Sequence, residues 1–288
     1  MSNPRWMVLF FAAFLSSFST TSSFAKQSTS IQVKGSDTMV NLVQAWAEKF
    51  MEKEPGAFIA VTGGGSGTGL AALINGTCDI ASSSREIKAQ ERELALKKGV
   101  NPAEYKVALD GLAVVVHPEN PVSELTMDQL ADIFTGKIKN WNEIGGPDLK
   151  IVVLSREVNS GTHVYFKEHV LQKGDTKSPA EFSPDALLLS SSQAIADEVK
   201  QNKGTIGYYG MGYISKDQKA IAIKKTVEAP AIPPTVDHVI SGDYPISRPL
   251  YIYVNGDAKP DVKKFMDYIL SPEGQAIVSE MDFVPIKS

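Results

Sequence analysis

Phe58-Ile59-Ala60-Val61-Thr62-Gly63-Gly64-Gly65-Ser66-Gly67-Thr68-Gly69-Leu70-Ala71-Ala72-Leu73-Ile74 joins two hydrophobic patterns through a glycine run, and that junction sets the fold class. The apolar run 58–61 has the length and composition of a strand, and Leu70 to Ile74 opens a helix that Asn75-Gly76 ends. Between them, Gly63 to Gly69 (GGGSGTG) forms a turn in which backbone can approach a ligand closely, with Ser66 and Thr68 offering hydroxyls. The same logic recurs on the N-terminal side. Residues 31–34 read as a strand, Gly35-Ser36-Asp37-Thr38 as the turn, and Leu42, Val43, Trp46, Ala47, Phe50 and Met51 recur at helical spacing. It recurs again downstream. Residues 151–154 form a strand that delivers Ser155-Arg156 and the turn Asn159-Ser160-Gly161-Thr162 to a helix carrying Val164, Phe166 and Val170. Alternation of this kind predicts an α/β architecture.

The remaining pattern implies two lobes. Residues 79–81 predict a short buried strand leading into Ser82-Ser83-Ser84-Arg85, and 111–116 form the most continuous apolar strand, closed by the His117-Pro118-Glu119-Asn120-Pro121 turn. The first crossing between lobes is expected there. Further elements are a helix over 126–134, a strand over 204–209, a proline-rich connection at 229–234, a returning strand at 250–254, and helices over 262–269 and 274–279. The expected division is a leader over 1–25, one lobe from 26–114 plus 247–288, and a second lobe from 115–246. A ligand site between hinged lobes can close over its guest.

Composition narrows the partners. The 288 residues are 43% hydrophobic and 22% charged, ordinary for a globular chain long enough for two domains. A formal charge of −4 provides no global basic field, which argues against nucleic acid, so an anion would have to be captured locally. Arg5, the apolar run 6–15 and the small residues near Ser23-Phe24-Ala25 have the pattern of a secretory signal, implying export to the periplasm. Cys78 is the only cysteine, so no internal disulfide is available; it is expected to be a buried structural thiol.

Three turns rich in Gly, Ser and Thr, each preceding a helix, point to an oxyanion site, since a helix start carries free N–H groups and partial positive charge. Each turn taken alone is also a plausible helix cap. Arg156, a planar fork suited to phosphate or carboxylate, tips the reading towards an anion, and Arg85 is a second candidate donor unless it pairs with Glu86 or Glu91. The histidines (117, 163, 169 and 238) lack zinc-type spacing and recognised nucleophile motifs, so no metal, no cofactor and no enzyme activity is expected. A Ser160–His163 pairing would be the feature of an exported phosphoester hydrolase. Receptors for sulfate, molybdate or an organophosphate remain alternatives at this level, as does a phosphate-binding domain used in adhesion or signalling.

The motifs KGSDTMVNLVQAWAEKF, AVTGGGSGTGLAALINGTCDIASSSREI, DGLAVVVHPENP, LADIFTGKIKNWNEIGG, SREVNSGTHVYF and ILSPEGQAIV occur in the order found in phosphate-specific binding proteins of ABC importers, and the chain resembles that family over essentially its whole mature length. The resemblance implies a two-lobed type II periplasmic binding protein fold with two crossover strands at the hinge. It also implies a monomeric receptor of inorganic phosphate that serves a membrane ABC permease. It carries phosphate contacts onto Thr38, the backbone of Met39, Ser66, Arg156, Ser160, Gly161 and Thr162, with Ser36 as a neighbouring candidate. Two positions depart from the family pattern. Ser84 stands where an Asp accepts the phosphate proton, and Val158 where an acid pairs the arginine, leaving Glu157 for that second role. Asp110 is then the first candidate acceptor and Asp37 the reserve, with hinge bracing as the alternative role for Asp110.

Overall fold

The computed structural model describes residues 29–175, 177–256 and 258–286; the expected leader at 1–25 lies outside them. In chain order they form β1 (Thr29–Gly35), α1 (Val40–Lys53), β2 (Ala57–Thr62), α2 (Ser66–Ile74), β3 (Ile80–Ser83), α3 (Ala89–Lys97), β4 (Pro102–Val116), β5 (Glu124–Thr126) and α4 (Met127–Phe134). There follow β6 (Val152–Arg156), α5 (Gly161–Phe166), β7 (Leu187–Leu189), α6 (Ser192–Gln201), β8 (Thr205–Gly210), β9 (Lys219–Ala220) and β10 (Ala222–Lys224). The chain closes with α7 (Val236–Ser241), β11 (Ser247–Asn255), α8 (Pro260–Ile269) and α9 (Pro272–Glu280).

One curled sheet runs through the molecule in the order β2-β1-β3-β11-β4-β8-β6-β7, with β9 added beside β4. Its flanks are parallel, as strand–helix–strand crossovers require: β2, β1 and β3 at one side, β8, β6 and β7 at the other. The two central strands run against their neighbours. β11 is antiparallel to both β3 and β4, and β4 is antiparallel to β8. The pairing partner of β4 changes along its length: Pro102 to Gly111 face β11, whereas Leu112 to Val116 face β8. One continuous strand thus belongs to both halves of the sheet, and the change falls at Gly111, opposite Ser247 at the start of β11. These are the two crossover strands of the α/β, two-lobed architecture.

Packing places the turns. Trp46 on α1 is fully buried and donates its Nε1–H to the Gly274 carbonyl at 2.7 Å, tying α1 to α9. In the other half, Phe166 stacks on Tyr208 with centroids 3.9 Å apart and planes within 9°, and Phe134 and Phe182 pack around them. That aromatic group seats α5 on β8 and so sets the height of Gly161 and Thr162 above the sheet. Tyr208 and Tyr209 are both wholly buried, in keeping with a core role.

Two boundaries differ from those expected. Helix α2 starts at Ser66, not Leu70, because Gly69 donates to the Gly65 carbonyl at 3.1 Å and the glycine-rich segment coils into the first helical turn. A Cβ on Gly69 would lie 2.5 Å from Gly35 Cα, so glycine there lets α2 press against β1. Strand β4 begins at Pro102, not Gly111. Its first half alternates between covered and exposed positions, with Glu104 and Lys106 facing solvent, and a polar half-strand lacks the continuous apolar run of the second half.

Candidate functional site

The three glycine-rich turns meet. Thr38, in the turn after β1, places Oγ1 2.8 Å from Thr162 Oγ1 at the start of α5. Thr162 Oγ1 is 3.4 Å from Ser84 Oγ at the end of β3, and Ser84 Oγ is 3.3 Å from Ser66 Oγ, the first residue of α2. The Ser84 amide also donates to Ser66 Oγ at 3.0 Å. All four side chains are at most 1% exposed. Gly161 sits against the same group: a Cβ there would fall 2.7 Å from Ser84 Oγ and closer still to Ser66 Oγ. Hydroxyls rotate, each carrying one donor and two acceptor positions, so this chain of four can turn its protons towards an oxyanion between the turns.

Local geometry explains the flanking residues. Ser160 caps α5 through its Oγ, which accepts the Thr162 N–H at 3.2 Å and leaves its own proton to donate elsewhere. Ser36 is not a cap. Its amide donates to Ser82 Oγ and O, and its buried hydroxyl has no partner within the chain. Met39 differs from expectation, because its amide donates to the Ser36 carbonyl at 3.1 Å, closing a single 3₁₀ turn over Asp37–Met39 that occupies the donor.

Arg156, at the end of β6, is 1% exposed and almost saturated. Its Nε donates to the Leu189 carbonyl at 3.3 Å, Nη1 to Ser192 Oγ at 3.1 Å, and Nη2 to the Ser190 carbonyl and to Asp37 Oδ2, both at 2.8 Å. Burial lowers its pKa, opposed by Asp37, but a guanidinium starts so far above neutrality that it stays charged. The expected acid partner, Glu157, is exposed in the turn beyond β6, as is Val158. Asp37, 119 residues away in sequence, takes that role, while its Oδ1 accepts the Gly64 N–H at 2.8 Å. Asn159, absent from the expected set, joins the glycine turn as well. Its carbonyl accepts the Gly67 N–H at 2.9 Å and its Nδ2 donates to Gly64 O at 2.9 Å and Thr68 Oγ1 at 3.3 Å. Gly65 has φ of +90°, and a Cβ there would lie 2.7 Å from the Asn159 carbonyl, so only glycine admits this approach.

Arg85 is committed to an acid at its Nη atoms, while its buried Nε has no partner within the chain. Both its Nη atoms hold Glu91, at 2.8 and 2.7 Å, and Nη1 also donates to the Glu86 carbonyl. Asp110 is fully buried, with Oδ1 accepting the Met211 amide at 3.1 Å and Oδ2 accepting Arg248 Nε and Nη2 at 3.2 and 2.9 Å. It therefore has the partners of a hinge brace, since Asp110 on β4 and Arg248 on β11 are cross-strand neighbours. Burial raises its carboxyl above the ordinary value, while Arg248 and the Met211 amide pull it back. Arg248, whose Nη2 also donates to Thr162 Oγ1 at 2.9 Å, is the residue beside the cluster that sequence reasoning missed. It lies in a plain strand motif, SRPLYIYV, with no glycine turn to mark it.

His163 Nδ1 lies 3.2 Å from Ser155 Oγ, not Ser160, and Ser155 Oγ is 2.7 Å from the Tyr208 hydroxyl. The histidine of the conceivable nucleophile pair thus seats α5 on β6 and, through Ser155, on β8, while Ser160 caps α5. Cys78 is half-buried, and burial pushes its thiol up to about 11, which makes it an unreactive side chain at neutral pH.

Residues 20–273 match the family model of the PBP superfamily domain, which defines the class: a two-lobed ligand-binding protein built on α/β units. The chain is 36% identical over 263 residues to the phosphate-binding protein PstS of Bacillus subtilis, covering 91% of this chain and 82% of that one. Against PstS of Pseudomonas aeruginosa it is 34% identical over 269 residues, covering 88% and 81%. The chain belongs to this family of phosphate-binding proteins. Among solved structures, a phosphate ABC transporter substrate-binding protein assigned in Clostridium perfringens, with bound phosphate, superposes with a TM-score of 0.81 at 32% identity, covering 90% of this chain and 100% of that one. An ABC-type phosphate transport receptor from Vibrio cholerae superposes at 0.71 with 31% identity, covering 89% and 100%. The relatives are named as phosphate-binding proteins and a phosphate transport receptor.

Proposed function

We propose that this protein is an exported, monomeric receptor that binds inorganic phosphate in the cleft between its lobes and delivers it to a membrane ABC permease. The observation that carries the reading is the meeting of Thr38, Ser66, Ser84 and Thr162 hydroxyls in one buried chain, with the Arg156 guanidinium held beside it by Asp37. The contacts assigned to phosphate are those hydroxyls, the hydroxyls of Ser36 and Ser160, the Gly161 amide and the remaining Nη1 hydrogen of Arg156. The lobes are residues 26–114 with 247–288, and residues 115–246, so the hydroxyls of Thr38, Ser66 and Ser84 come from one lobe and that of Thr162 from the other. Closure brings them together in a water-poor space where each hydrogen bond to a charged oxygen counts for more than in water. The phosphate-binding relatives support the ligand, and the leader pattern at 1–25 supports export.

Calorimetric titration of ligand-stripped protein with phosphate, then sulfate, tests this. Saturable phosphate binding is expected, weakened by about 2 kcal/mol or more in Arg156→Ala, because the substitution removes a charged donor from a buried anion. A silent phosphate titration alongside tight sulfate or molybdate binding would transfer the protein to another oxyanion.

A further inference from the structure

We propose that Arg248 is a second arginine of the anion site, a positioning residue that fixes the Thr162 hydroxyl as a donor towards the ligand; this rests on the phosphate reading above. Arg248 Nη2 donates to Thr162 Oγ1 at 2.9 Å and, with Nε, to Asp110 Oδ2. A guanidinium has donors only, so at this contact the Thr162 oxygen must accept. One oxygen position is thereby filled from behind, and the single Thr162 proton is left to point forward, where Thr38 Oγ1 and Ser84 Oγ now lie. An oxyanion between those groups meets a hydroxyl already turned to donate, without the cost of reorienting it on binding.

The mounting of Arg248 suits this task. The side chain is 1% exposed, its Cζ lies 5.4 Å from the Tyr165 ring centroid, and Tyr165 is itself anchored by its hydroxyl donating to the Ser247 carbonyl at 2.6 Å. Arg248 therefore touches both crossover strands and α5 at once. Its Nη1 is buried without a partner in the chain, and Arg248 shares with Ser84 and Tyr165 the lining of a cavity of about 500 Å³. A pair that only braced the hinge needs the Asp110 contact alone; the Thr162 contact and the unpartnered Nη1 are what a ligand-directed role requires.

The test is a mutant cycle read by phosphate calorimetry. Asp110→Asn/Arg248→Gln removes both charges together, so neither is left buried alone. It is expected to weaken phosphate binding about tenfold, as is Thr162→Val. The combined variant should bind no worse than the weaker of these, because both remove the same oriented proton. Losses that multiply, or wild-type affinity in the Asp110→Asn/Arg248→Gln variant, overturn the proposal. Should that variant not fold, Arg248→Lys keeps a cation for Asp110 with a shorter reach. A similar loss in that variant supports the role and unchanged affinity overturns it. Wild-type protein that ignores phosphate removes both this inference and the reading beneath it, whereas normal wild-type binding with indifferent variants removes this inference alone.

Discussion

At the scale of single residues, the site separates into groups that local sequence marks and groups that it does not. Ser66, Ser160 and Thr162 stand in glycine turns, where a hydroxyl before a helix is recognisable, and the structure brings them into one cluster. The pairings of Asp37 and Arg248 carry no such mark, although Asp37 itself stands in the first glycine turn: their partners lie 119 and 138 residues away, and no window of sequence contains both members. His163 shows how burial resets a residue whose sequence context is ambiguous. It is 7% exposed against Ser155, and burial is the main cause lowering its pKa from the ordinary 6.5. Above that pH the ring is neutral in folded and unfolded chains alike. As pH falls below it, the unfolded chain takes up a proton that the folded one refuses, so stability declines towards the depressed folded value. Urea midpoints of the wild type should therefore drop between about pH 7 and 5.5, and drop less in His163→Gln; parallel pH profiles for the two proteins would show that His163 contributes nothing to acid sensitivity.

At the scale of elements, strand–turn–helix units were legible wherever an apolar run met a glycine turn, and lost where polarity masked the strand. The first half of β4 and helix α3 are examples: α3 buries only Ala95, so it offers no apolar stripe. The position of α2 against β1 depends on Gly69, whose added methyl group would collide with the Lys34 carbonyl and with Gly35 Cα. Backbone on both sides leaves little room to yield. Gly69→Ala is expected to cost about 1–3 kcal/mol in chemical denaturation despite alanine's better helix propensity. A neutral or stabilising result would mean that α2 can lift off the strand freely. The same displacement would move Ser66 away from Ser84, so weaker phosphate binding should accompany the lost stability.

At the scale of the whole molecule, β4 and β11 form the continuous path in the sheet between its two parallel flanks among the described residues, and the candidate site lies beside their junction. The flanks are also joined across the cleft by Arg156 to Asp37, Thr162 to Thr38, and Asn159 to the glycine turn. Asn159→Ala deletes the Nδ2 bonds to Gly64 and Thr68 while leaving the backbone contact to Gly67. Phosphate affinity should fall by about 0.5–1.5 kcal/mol, with a larger radius of gyration in small-angle scattering of the ligand-free protein. Unchanged scattering and affinity would place the closing force elsewhere. Local sequence alone determined the α/β units, the glycine turns and the anion-seeking chemistry, because hydrophobic periodicity and turn residues act within a few residues of one another. Tertiary structure alone decided which acid holds which arginine, which amides stay free and that Arg248 stands behind Thr162. Those are choices of long-range pairing, made when the sheet curls and the helices pack, and no local pattern encodes them.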